Sequence, residues 1–95
     1  MPDRVSVLDG VPMQMPSLLL AEKLVGRAAR AGLELRPVEG EPPVANDAAR
    51  AEAALGDALL DTVIDAAARG LDAERALRGA LRRLTDRIRE AESRP

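Results

Sequence analysis

Asp57, Asp61 and Asp65 stand four residues apart in the stretch LGDALLDTVIDAAARGLDAERAL, residues 55–77. On a helix that spacing puts three carboxylates on one face, where like charges repel by roughly 0.2–0.5 kcal/mol per pair. A row of this kind persists when water solvates it, when arginines face it, or when a cation sits on it. The chemistry it offers is a divalent-cation site. With carboxylate ligands alone the metal is magnesium, manganese or calcium. Magnesium so held can neutralise phosphates and activate water. The simpler expectation is a solvated or arginine-paired face, with Arg75, Arg78, Arg82 and Arg89 downstream as partners. Metal sites in helical bundles draw carboxylates from facing helices. Here one helix supplies the whole set.

Composition removes most other chemistries. The 95 residues contain no histidine, cysteine, phenylalanine, tyrosine or tryptophan. Without His or Cys there are no nucleophile–base pairs of that kind, no Cys/His zinc sites and no disulfides. The lack of aromatic residues argues against base stacking on single strands. Net charge is −2, and Asp86, Glu90 and Glu92 interleave with the C-terminal arginines, so nucleic acid is not an expected partner. No apolar run is long enough for a membrane span, and the N-terminus lacks a secretory pattern. The expected location is therefore cytoplasmic.

Helices must position these residues. Residues 1–16 read as an arm, either extended across a neighbour or disordered, because Pro2, Gly10, Pro12 and Pro16 forbid a long element. Residues 17–31 read as a first helix, with Ser17 as N-cap and Gly32 as the stop. Leu18, Ala21, Leu24, Val25 and Ala28 fall on one face, and Glu22, Lys23, Arg27 and Arg30 face away. Residues 33–46 form a proline-rich loop. A second helix over 47–69 is capped by Asn46 or Asp47 and ended by Gly70. Leu55, Leu59, Leu60, Val63 and Ile64 make its apolar stripe so wide that it needs more than one neighbouring helix. Asp72 caps a third helix, whose seam is Leu77, Leu81, Leu84 and Ile88. Residues 93–95 form a frayed tail. The expectation is an all-α domain over residues 17–92, a small bundle of three main helices. A chain this short buries little surface alone. These seams are therefore read as core or dimer interface.

Two stretches resemble the C-terminal domain of MazG-type nucleoside triphosphate pyrophosphohydrolases. The first is VLDGVPMQMPSLLLAEKLVGRAARAGLELRP. Within it Met15-Pro16-Ser17-Leu18, Ala21-Glu22-Lys23-Leu24 and Arg27-Ala28-Ala29-Arg30-Ala31-Gly32 follow the family's Leu-Pro-Ala-Leu, Ala-x-Lys-Leu and Arg-Ala-Ala-Arg-x-Gly patterns. The second stretch is LGDALLDTVIDAAARGLDAERALRGALRRLTDRIREAE. It resembles the family's Gly-Asp-Leu-Leu-Phe helix, its Gly-x-Asp-x-Glu-x-Ala-Leu restart and its closing helix. The resemblance implies an all-α pyrophosphohydrolase fold, usually dimeric. It also implies magnesium-dependent cleavage of a nucleoside triphosphate into a monophosphate and pyrophosphate. The family's ligands come from Glu-Glu-x-x-Glu on one helix and Glu-x-x-Asp on the next.

The chain departs from that pattern at the site itself. Asp57 matches the final aspartate of Glu-x-x-Asp, but Ala54 stands where the glutamate belongs, and Glu52 is two positions too early. The Glu-Glu-x-x-Glu helix is replaced by the loop at 33–46, whose Glu39 and Glu41 are poorly organised substitutes. Leu81, Leu84 and Ile88 stand where the family has polar or aromatic residues. The expected role is thus a degenerate MazG-like domain without a cofactor, serving as a homodimerisation module or packing against an active domain of the same type. The alternative is residual magnesium-dependent hydrolysis through Asp57, Asp61 and Asp65, or nucleotide binding without turnover.

Overall fold

The computed structural model describes residues 6–35 and 45–95. The expectations for Glu39, Glu41 and most of the proline-rich loop lie outside them. Three α-helices follow in order: α1 (Ser17–Arg30), α2 (Asp47–Ala68) and α3 (Ala73–Glu92). There is no strand among the described residues. The protein is all-α, as the helical periodicity predicts.

The helix ends show how local chemistry sets the boundaries. At α2, the Asn46 carboxamide oxygen accepts from the Ala49 N–H at 2.8 Å. At α3, the Asp72 carboxylate accepts from the Arg75 N–H at 2.9 Å. Both satisfy an amide that the first turn leaves without an intrahelical partner. α1 differs from expectation. Ser17 is already helical, the cap position is Pro16, and no side chain caps the turn. The Pro16 carbonyl accepts the first helical bond from Leu20, and its fixed φ of −51° suits a residue entering a helix.

α1 and α2 end in the same way. Gly32 and Gly70 take φ of +73° and +69°, which costs glycine little. Each is followed by a leucine whose N–H reaches back into the last turn, Leu33 to the Ala28 carbonyl and Leu71 to the Ala66 carbonyl. These are Schellman motifs, and they satisfy carbonyls that the helix ends leave free.

Packing is sparse. α1 lies against both other helices, more extensively against α2, while α2 and α3 touch each other least. The long axis is 71 Å. That is close to the combined length of α2 and α3, roughly 33 and 30 Å at 1.5 Å per residue. α3 therefore runs onward from α2 instead of folding back along it, and α1 bridges their junction. The radius of gyration is 17.7 Å, against about 12 Å for a compact domain of this length. Among the described residues the buried apolar ones are Val11, Val25, Ala28 and Val63.

The apolar stripes come out differently from the core they suggest. Val63 is buried and Ile64 half-buried. Leu55 and Leu59 are each 61% exposed, and Leu60, Leu77, Leu81, Leu84 and Ile88 are exposed as well. Within one chain, α2 finds one close helical neighbour where its stripe calls for more.

Residues 6–16 of the arm lie against the helices in a defined turn. The turn is closed by the Asp9 carboxylate, which accepts from the Ser6 N–H, and by the Ser6 hydroxyl, which accepts from the Leu8 N–H, both at 3.1 Å. Arg27 of α1 donates to the Val7 and Asp9 carbonyls at 3.4 and 3.1 Å. The arm thus folds back on its own first helix, with Val11 buried beneath it.

Candidate functional site

Asp57, Asp61 and Asp65 sit on α2, and all three are exposed. Their helix places them in one row, as the spacing requires. The expected arginine partners on α3 do not reach them. Arg78 pairs with Glu74 at 2.7 Å and Arg89 with Asp86 at 3.9 Å, each one turn away on α3 itself. Among the described residues the row's ion pair is local to α2, from Arg69 to Asp65 at 3.4 Å. The reason is topological: α3 continues away from α2, so its arginines are carried off the acidic face.

The row does not fit magnesium. Asp57 and Asp65 are about 12 Å apart along the helix axis at 1.5 Å per residue, whereas magnesium draws its oxygens to about 2.1 Å. Among the described residues no three His, Cys, Asp or Glu side chains converge on one point. Ala54, one turn before Asp57, contributes only a methyl group. A magnesium–triphosphate complex needs carboxylates from a second element facing this one, and α1 presents Glu22 elsewhere.

Glu22 is one of two polar side chains whose role the sequence hides. Expected to face solvent, it is half-buried, and its carboxylate accepts from the Glu74 N–H at 3.1 Å. A side chain of α1 therefore caps the first turn of α3, where the helix dipole favours negative charge. Arg27 is the other, pinning the arm to α1. Neither contact was legible beforehand, because each joins a side chain to a distant backbone group. Lys23, Arg27 and Arg30 also line an open depression of about 530 Å³ with Val7 and Ala31.

Comparison with known proteins adds one relative. A Streptomyces cacaoi protein, described as an uncharacterized 26.1 kDa protein in the blaB 3' region, is 41% identical over 90 residues. The match covers 95% of this chain and 33% of that protein, so the chain spans about a third of the relative's length. No protein-family model matches the chain. No solved structure matches it. No helix among the described residues is long and apolar enough to cross a membrane.

Proposed function

We propose that the chain is a degenerate MazG-type helical domain whose present role is homodimerisation. The observation that carries the reading is the exposure of its apolar seams. Leu55 and Leu59 on α2 and Leu77, Leu81, Leu84 and Ile88 on α3 stand open to water in the single chain. Exposed apolar seams of this kind mark association sites. Self-association is the route by which a small domain with few buried residues completes its core. The MazG reading rests on the matching segments at 15–32 and 55–77. Loss of catalysis is supported by Ala54 and by an acidic row whose geometry does not gather ligands.

Sedimentation at micromolar concentration tests the dimer, and a stable monomer overturns it. Pyrophosphate release from the eight common triphosphates, with magnesium or manganese, tests the loss of catalysis. No release above background is expected at high protein concentration. Turnover that disappears in Asp57→Asn would mean that the site still works.

A further inference from the structure

α3 leaves the body of the molecule with its last turns uncovered, and every residue from Leu81 onward is exposed. The apolar residues there are not scattered. Leu77, Leu81, Leu84, Ile88 and Ala91 recur at alternating spacings of four and three. That is the a/d register of a coiled coil, with Leu81 and Ile88 at a and Leu77, Leu84 and Ala91 at d. It is narrower than the stripe of a helix that lies on the core of its own domain. The geometry points to a second copy of this chain as its occupant: two α3 helices pair in parallel and in register through this seam. The inference rests on the dimerisation reading above, and adds the element that performs it and its direction.

Charge and residue shape choose the orientation. In a parallel pair each g residue faces the e residue five positions on in the other helix. Those partners are Ala73 with Arg78, Ala80 with Thr85, and Arg87 with Glu92 of the second copy. The one pair in which both residues are charged joins opposite signs, and symmetry makes it twice. Among the described residues neither Arg87 nor Glu92 forms an ion pair, although Arg89 and Arg94 beside them do. Being five apart, Arg87 and Glu92 do not meet on one helix. Ile at a with Leu at d, as in Ile88 and Leu84, favours two parallel strands. The antiparallel alignment that sets Leu84 against Ile88 pairs Arg78 with Glu92 but brings Arg87 against Arg87. α2 offers no equal seam: the same spacing continued from Leu55 and Leu59 reaches Thr62 and Arg69.

The protein has no cysteine, so introduced ones report without background. Leu77→Cys and Ala91→Cys place a thiol at each end of the seam, both at exposed positions. Each variant, and their mixture, is oxidised mildly with glutathione disulfide and run on a non-reducing gel beside sedimentation of the same samples. Parallel pairing is expected to cross-link each variant to itself. Cross-links only in the mixture would mean antiparallel pairing and overturn the proposal. So would absence of any cross-link in a protein that still sediments as a dimer, which leaves the dimerisation reading standing. A monomer overturns both. Charge reversal gives a second test that is indifferent to thiols. Arg87→Glu is expected to weaken dimerisation several-fold and Arg87→Glu with Glu92→Arg to restore it. A double variant no better than the single would sink the pairing.

Discussion

Asp61 is the middle member of the acidic row, one turn from both Asp57 and Asp65. If the row holds no cation, Asp61→Asn removes two like-charge neighbours at roughly 0.2–0.5 kcal/mol each. Stability should then rise by about 0.5 kcal/mol in urea unfolding, and magnesium should make no difference. A destabilised variant whose loss depends on magnesium would point instead to a bound ion. Glu22 is the opposite case, a carboxylate with a tertiary partner at the first turn of α3. Glu22→Ala is expected to cost about 1 kcal/mol, the usual worth of a cap, with Glu22→Gln in between because its amide oxygen still accepts. The charge pattern showed which residues were acidic, but not that Glu22 bridges two helices while no other carboxylate among the described residues converges with Asp57, Asp61 and Asp65.

The helices themselves were largely legible. Asn46 and Asp72 cap as their types and positions suggest, and Gly32 and Gly70 stop α1 and α2. Local rules suffice there, because a cap or a left-handed glycine is decided within a few residues. Ser17 is the instructive difference, since Pro16 occupies the cap position and carries the helix entry. At Gly70, with φ of +69°, an alanine would be held in the left-handed region. Gly70→Ala is expected to lower stability by about 1–2 kcal/mol. Thermal unfolding by circular dichroism reads this directly, and an unchanged midpoint would show that the α2–α3 link adopts another conformation in solution.

At the scale of the whole molecule, the open arrangement dominates. A radius of gyration of 17.7 Å and a short roster of buried residues describe a chain that leaves its seams uncovered. If a second copy covers them, folding and association are linked, and the melting temperature should rise with protein concentration. A midpoint constant over a hundredfold range of concentration would argue for an independently stable monomer. Ile88→Asp, in the middle of the α3 seam, should shift the equilibrium toward monomer and lower the midpoint. It should leave the arm's attachment through Arg27 unaffected, as judged by proteolysis of that arm.

Sequence alone determined the helical class, the helix boundaries to within a residue or two, and the apolar seams, because periodicity and end chemistry are local. It also determined that Ala54 leaves Asp57 without a carboxylate one turn before it. Tertiary structure decided what each face meets. Leu55 and Val63 belong to one apolar stripe, yet Val63 is buried and Leu55 is not. The acidic row stands apart from the arginines of α3, and Glu22, which looks like a surface residue, caps another helix. Those outcomes depend on the direction in which α3 leaves α2, and residue types along a single helix do not encode the direction of the next.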